Sequence, residues 1–312
     1  MRNLGDLPPE LITLIADGAD IRSLCSLRNC SKPLRQIVIN SKNICEQIIV
    51  EHTECYQVSI QVNHNSTCVY AAKTWGCEIQ KQQPSGNIKT FLEGESYLEL
   101  AVDDLMKILK DPKIVIGKLE IRRSLSRTGD IDPFFKLLSQ TLNQLSRRLH
   151  VEKFTPWNLT ESDMIGILPC FKPGTLRVLD LSPNGVGQSD RLREIVHLEQ
   201  WKQARELRSS VVPPLGELLH FERVEVQFLG CPLIVPWNEL KSFIEKVMAQ
   251  AEPMQFKCHG VQIPNELSLY TRSFQQIGGT DKFVLKELEN GNKLVLIRHD
   301  NYIKINKYGP YQ

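Results

Sequence analysis

Long apolar runs are missing from this 312-residue sequence, and nothing in it approaches the roughly 18 consecutive apolar residues that cross a bilayer. At the amino end Pro8, Pro9, Asp17 and Asp20 interrupt what would have to be the apolar core of a signal peptide. The expectation is a chain that avoids membranes and works in the reducing cytoplasm and/or nucleus. An excess of one charge is also missing. The 38 Lys and Arg against 36 Asp and Glu leave a net charge of +2, which is no footprint for nucleic acid, because neutralising a phosphate backbone needs a concentrated basic face. The densest basic group, Arg122, Arg123, Arg127, Arg147 and Arg148, reads as a solvated face. Cysteine pairs at metal spacing are absent too. There are nine cysteines, no CxxC, and the closest pair is Cys25 and Cys30, so the thiols read as small buried hydrophobes and no metal site is expected.

Catalytic motifs are equally scarce. No GxSxG, HExxH or P-loop occurs, and no zinc-ligand array of a RING. SPNGVGQSD offers Gly185 and Gly187, but Asp190 stands where a dinucleotide fingerprint needs its third glycine, and a carboxylate there opposes a pyrophosphate. Cys258 and His259 are adjacent, so on a strand they face opposite ways and make no thiolate–imidazole pair. The chain is expected not to be an enzyme, with no catalytic, cofactor-binding or metal-binding residues.

Present instead are apolar residues at 41% and charged residues at 24%, enough for a sizeable core in one extended domain with an appendage, or in two domains. Residues 4–40 read as three short helices. Leu7 and Pro8 both precede prolines and are steered away from the helical region, so the first helix begins at Pro9, with Glu10 in its first turn. Leu11, Ile12, Leu14 and Ile15 follow before Asp17-Gly18 ends the run. Asp20 suits the cap of a second helix carrying Ile21, Leu24, Cys25 and Leu27, and Ser31 that of a third carrying Leu34, Ile37 and Val38. Each is too short to hold alone in water, and Ile12 lies about 100° around the helix from Leu11. Three such helices carry more apolar surface than they can bury among themselves; the segment either packs on the rest of the chain or docks on a partner.

L-P-x-E-L-I followed by I-R-S-L-x-x-L-R-x-x-S-K-x-L-R resembles an F-box, the three-helix unit that inserts into the Skp adaptor of cullin–RING ubiquitin ligases. The residues that carry the likeness are Leu7, Pro8, Leu11, Ile12, Ile15, Leu24, Leu27, Ser31, Lys32, Leu34 and Arg35. The resemblance implies adaptor contacts from Leu7, Pro8, Leu11, Ile12, Ile15, Leu24, Leu27 and Leu34.

Residues 41–95 alternate polar and apolar positions, as in YQVSIQV at 56–62, and predict short antiparallel strands. From about residue 96 helices alternate with strands. The template L-x-x-L-x-L fits Ile116-Leu119-Ile121, Leu176-Leu179-Leu181, Phe221-Val224-Val226 and Ala251-Met254-Phe256, and more loosely Ser146-Leu149-Val151. Positions 119, 149 and 179 are 30 apart, as are 224 and 254, with a weaker strand centred on Leu207 in the longer gap. Helices precede the strands: DPFFKLLSQTLNQL with Pro133 at its start, TESDMIGIL with Thr160 and Asp163 as a variant capping box, and PWNELKSFIEKVM with Leu240, Phe243, Ile244, Val247 and Met248 on one face. A repeat near 30 residues predicts a leucine-rich-repeat-like α/β solenoid; a non-repetitive α/β sheet is the alternative. The last 30 residues predict a three-stranded antiparallel meander turning at Asn290-Gly291 and Asp300-Asn301 and capping the solenoid's open end.

SDMIGILPCFKPGTLRVLDLS, IVHLEQWKQARELRSS and LLHFERVEVQF resemble the FTH domain, once catalogued as domain of unknown function 38, which follows an F-box in a large family expanded in nematodes. The expected organisation is α/β overall: F-box at 1–42, short antiparallel strands and a connection at 43–98, an FTH or leucine-rich-repeat-like solenoid at 99–262, and a linker with the meander at 263–312. The two resemblances imply a substrate-recognition adaptor of a Skp–cullin–F-box ubiquitin ligase, binding an unidentified protein target, with no nucleic acid and no membrane as partner. If the strands stack at the repeat spacing, one outward row is Glu120, His150, Asp180, Glu225 and Gln255, and its neighbour Arg122, Glu152, Ser182, Gln227 and Lys257. Read as a target-binding face, the first row is acidic and favours a basic partner. A scaffold outside ubiquitination, or a small-molecule enzyme using the 184–187 loop, are the competing readings.

Overall fold

A computed structural model describes residues 7–17, 44–63, 66–83, 86–124, 132–181, 192–211, 213–227, 233–250, 254–262, 265–271, 274–277, 281–287, 293–299 and 302–308. It is a mixed α/β structure of large open sheets and few helices, in two compact units: Met1–Phe154 with Gly166–Thr175, and Thr155–Ile165 with Leu176–Gln312.

In the first unit, α1 (Pro9–Asp17) starts where the double proline predicts, and the amides of Leu11 and Ile12 both donate to the Pro8 carbonyl, at 3.0 and 3.2 Å. The alternating region is a meander of five strands, each antiparallel to the next: β1 (Ile44–Thr53), β2 (Gln57–Val62), β3 (Ser66–Lys73), β4 (Gly76–Gln83) and β5 (Gly86–Glu93). Period two is visible in burial: Val58 and Ile60 are inside, while Gln57, Ser59 and Gln61, which alternate with them, are half-buried. At the edge, β5 buries almost nothing and carries Lys89, one of the ways an open strand discourages further pairing.

α2 (Tyr97–Leu109) follows with Ala101, Val102, Leu105, Met106 and Leu109 at i, i+3 and i+4 spacing, and this stripe packs on β2, β3 and β4. A partly buried hydrogen bond pins it there: Tyr70 on β3 donates to Asp104 Oδ2 at 2.6 Å, and Lys107 donates to Oδ1 at 2.6 Å. Burial pushes the Asp104 carboxyl up, but these two donors outweigh it and hold the group below its ordinary value. The chain then returns as β6 (Val115–Arg123), parallel to β1. α3 (Pro133–Asn143) has proline in its first turn and Asp132 as cap, with Oδ1 accepting from the Phe134 amide at 2.9 Å. Asp132 Oδ2 also lies 2.8 Å from His52 Nδ1 and 3.8 Å from Arg123 Nε, so one carboxylate ties β1, β6 and α3 together. β7 (His150–Trp157) completes the order β7-β6-β1-β2-β3-β4-β5.

α4 (Glu161–Ile167) is capped reciprocally, Asp163 N donating to Thr160 Oγ1 and Thr160 N to Asp163 Oδ2, as its sequence predicts. The second unit continues through β8 (Val178–Leu181), the short α5 (Glu199–Lys202), β9 (Glu206–Ser209), β10 (Arg223–Gln227), β11 (Leu233–Ile234), α6 (Trp237–Ala249), β12 (Gln255–His259), β13 (Val261–Gln262) and α7 (Asn265–Thr271). It ends with β14 (Gln275–Gln276), β15 (Lys282–Glu287), β16 (Lys293–His299) and β17 (Tyr302–Tyr308). Its strands run β8-β9-β10-β12-β17-β16-β15-β14. The first four are parallel; β17 is antiparallel to β12 and to β16, and β15 to β16. The turns read at Asn290-Gly291 and Asp300-Asn301 lie outside the described residues.

Leu179, Leu207, Val224, Phe256, Ile305 and Leu296 are successive partners across five strand pairings, and all six are buried. This corrects the repeat template at its last unit. Val224 partners Phe256, not Met254, so β12 sits two residues from the expected register. α6 covers the core with Leu240, Phe243, Ile244 and Val247, Phe243 meeting Phe256 edge-on at 5.0 Å. Trp201 is wholly buried, edge-on to Phe221 at 5.2 Å, with its indole N–H on the Glu217 carbonyl.

Gly76 follows the turn between β3 and β4, and a Cβ there would lie 2.1 Å from the Leu92 carbonyl oxygen of β5. Gly76→Ala is expected to lower unfolding free energy by about 1–3 kcal/mol as an overpacking change, read as a lower urea midpoint at unchanged slope.

Candidate interaction surface

On α1, Leu11, Leu14 and Ile15 are spaced i, i+3, i+4 and form one stripe. Their exposures are 47%, 68% and 42%, whereas Ile12, rotated away from them, is 3% exposed. Leu7 is half-buried and Pro8 exposed. An exposed stripe of three large aliphatics on a nine-residue helix is costly to leave in water, since full burial of each is worth about 1.5–3 kcal/mol. Leu14 belongs to this stripe on geometry, although the F-box resemblance did not assign it a contact. The remaining residues of the resemblance, Leu24, Leu27, Ser31, Lys32, Leu34 and Arg35, lie outside the described residues.

In the first unit the basic group of the sequence is divided by the fold. Arg122 Nε bonds Glu120 Oε1 at 2.5 Å and its Nη1 lies 3.9 Å from Glu51, while Arg123 turns to Asp132. Arg147 and Arg148 stand elsewhere, before β7, and Arg127 is outside the described residues. Glu120 is 2% exposed, with Lys118 Nζ at 2.6 Å on its other oxygen and Gln47 Nε2 at 3.4 Å. Burial raises its pKa, but the bonds from Lys118 and Arg122 outweigh that and hold the carboxyl below its ordinary 4.5. Glu120 is therefore an internally neutralised anion, not an available one. His150 and Glu152 are half-buried on β7.

In the second unit the two-residue shift of β12 rearranges the outward rows. Asp180 partners Arg208, Arg208 partners Glu225, Glu225 partners Lys257, and Lys257 partners Lys304. Lys257 Nζ lies 3.7 Å from Glu225. Gln255 instead partners Arg223, which pairs with Glu206 at 3.9 Å, and Gln227 partners His259, which partners Tyr302. The expected acidic row of Asp180, Glu225 and Gln255 is thus corrected to alternating charge ending in two lysines. The reason is physical: a shift of two residues leaves every side chain on its own face, so hydrophobic alternation cannot detect it. Arg208 and Lys304, absent from the expected rows, come from β9 and β17. Ser182 lies outside the described residues.

Cys258 faces the core and His259 the other side, as adjacency on a strand requires. Burial pushes the thiol of Cys258 up to about 12 and those of Cys45 and Cys170 to about 11, far from the range of an attacking thiolate. Burial lowers His220 despite its ring bond to the Trp201 carbonyl at 2.9 Å. Among the described residues no helix is long and apolar enough to cross a membrane.

Because Glu120 is held below 4.5, its contribution to stability is complete above that pH and is lost as pH falls through the lower folded value. Glu120→Gln is expected to cost about 1–2 kcal/mol at pH 7, charge-assisted bonds discounted for half-exposed partners. It should also flatten the fall in stability between about pH 5 and 3, as read from urea midpoints at each pH.

Residues 132–233 match the FTH domain. Over 240 residues the chain is 24% identical to F-box A protein 224 of Caenorhabditis elegans, an alignment covering 72% of this chain and 59% of that protein. The chain thus spans less than two thirds of the relative's length. No solved structure matches. The FTH match lies over the segment where LEQWKQA and its flanking strands carried the resemblance, so over residues 132–233 the chain is similar to the FTH domain, and over a longer span to an F-box A protein.

Proposed function

We propose that the chain is a substrate-recognition adaptor of a Skp–cullin–F-box ubiquitin ligase. In this reading residues 1–42 form a three-helix F-box that grips a Skp-type adaptor, and residues 99–262 act as a leucine-rich-repeat-like solenoid that holds a protein target. The C-terminal meander covers the solenoid's end. The chain performs no chemistry itself and uses no cofactor; it acts in the cytoplasm and/or nucleus by raising the local concentration of target lysines near a charged thioester. The observation that carries the reading is the solvent-facing stripe Leu11, Leu14 and Ile15 on a helix too short to stand alone. The FTH match and the F-box A relative support it.

A second reading, an interaction scaffold acting outside ubiquitination, is favoured by one feature. Residues 1–42 contain no tryptophan, whereas many F-boxes carry one beside the position of Leu34.

Co-purification of the full chain with a Skp-type adaptor decides between them. Leu11→Ala with Ile15→Ala is expected to weaken capture at least tenfold, since each truncation removes apolar burial of about 1.5–3 kcal/mol and 1.4 kcal/mol is a factor of ten. Failure of the unaltered chain to bind any Skp-type adaptor would rule the first reading out.

A further inference from the structure

The first unit contains a cavity of about 480 Å³ whose polar lining is entirely cationic or imidazole: Lys113, Arg147, Arg148, His150 and Lys172. Pro112, Ile114 and Val115 supply its apolar wall. Three separate pieces of chain build it. Arg147 Nη2 donates to the carbonyls of Leu109 (3.1 Å) and Asp111, which anchors the guanidinium to the loop after α2 and leaves its Nε and Nη1 for other partners. Two carboxylates lie close by in the chain, Asp111 and Glu152, and neither lines the cavity; Asp111 turns Oδ1 to the Lys113 amide of its own loop at 3.0 Å. Opposite, Leu149 donates to the Cys170 carbonyl at 2.8 Å and Lys172 donates from its amide to the Leu149 carbonyl at 2.7 Å. This parallel bridge holds Lys172 against the Arg148–His150 stretch.

Lys113, Arg148 and Lys172 have no ion pair among the described residues. Elsewhere on the chain Lys118, Arg122, Arg205, Arg223 and Lys257 each face a carboxylate. Four permanent cations gathered around one cavity with no acid in its lining set up a positive potential that attracts an anion. Two guanidiniums and two ammoniums match a compact dianion with three acceptor oxygens, the guanidinium by paired N–H donors and the ammonium as a point charge.

We propose that this cavity binds a phosphomonoester dianion, held by Arg148, Lys172 and Lys113 around the anchored Arg147. The features of a nucleic-acid track are missing: the chain's net charge is +2, and no phenylalanine, tyrosine or tryptophan lines the cavity as a stacking platform for bases. The phosphomonoester is carried either on a phosphorylated protein side chain or on a small metabolite. The site does not depend on α1 engaging an adaptor, so it stands or falls separately from the ligase reading.

Calorimetric titration of the purified full chain, with no adaptor present, tests it. The probes are a phosphoserine pentapeptide, the same peptide unphosphorylated, phenyl phosphate, and a single-stranded RNA 12-mer. The phosphorylated probes are expected to bind and the unphosphorylated peptide not to. Arg148→Ala and Lys172→Ala, both exposed positions, should each weaken binding about tenfold, the worth of one charge-assisted hydrogen bond. Lys136→Ala, an exposed lysine on α3 outside the cavity, should change it less than twofold. Tighter binding of the phosphopeptide than of phenyl phosphate would assign the protein source, and equal binding the small-molecule source; both support the site. It is overturned if neither phosphorylated probe binds, if Lys136→Ala weakens binding as much as Arg148→Ala, or if the RNA binds more tightly than either phosphomonoester.

Discussion

The second unit depends on a single in-register row, Leu179, Leu207, Val224, Phe256, Ile305 and Leu296. Each strand contributes one member, no strand but β16 and β17 reaches seven residues, and none could bury its apolar face alone. Slipping one strand by a single residue would turn its core side chains to the opposite face, so burial forbids odd shifts outright. Even shifts are a different matter. They preserve the faces and change only which polar residues become neighbours, and there the ion pairs on the outer face contribute their small selectivity. Glu225 beside Lys257 and Arg223 beside Glu206 belong to the register that exists.

That distinction explains what was legible in the residues. Faces were legible: the alternation in Val58 and Ile60, the stripe Leu240, Phe243, Ile244 and Val247, and the opposed Cys258 and His259 all follow from local period. One cap was legible as well, because the Thr160–Asp163 pair acts within three residues of itself, whereas Asp132 entered the reading only through the structure. Register was not, since Met254 and Phe256 are equally apolar and lie on the same face; only the partner strand chooses between them. The outer rows inherited that ambiguity, and the acidic row dissolved when β9 and β17 brought Arg208 and Lys304 into line.

The two candidate surfaces differ in the same way. The stripe on α1 is a local excess, readable from Leu11, Leu14 and Ile15 without knowing the fold. The cationic cavity is assembled from residues 113, 147–150 and 172, and in the linear chain only Arg147-Arg148 hints at it. Two of the five clustered arginines proved to serve internal carboxylates, Glu120 and Asp132, one lies outside the described residues, and the remaining two found lysines from distant loops. Charge density along a sequence is thus a poor guide to charge density in space.

The meander joins the parallel strands through β17 alone, the last of its strands in sequence, with β16, β15 and β14 stacked outward from it. On a ribosome that order has a temporal meaning. The edge of β12 emerges long before its partner, and β15 and β16 can pair with each other but have nothing to attach to until Tyr302–Tyr308 is made. During that interval the parallel strands present an unsatisfied backbone edge, the situation in which a nascent chain most needs a chaperone.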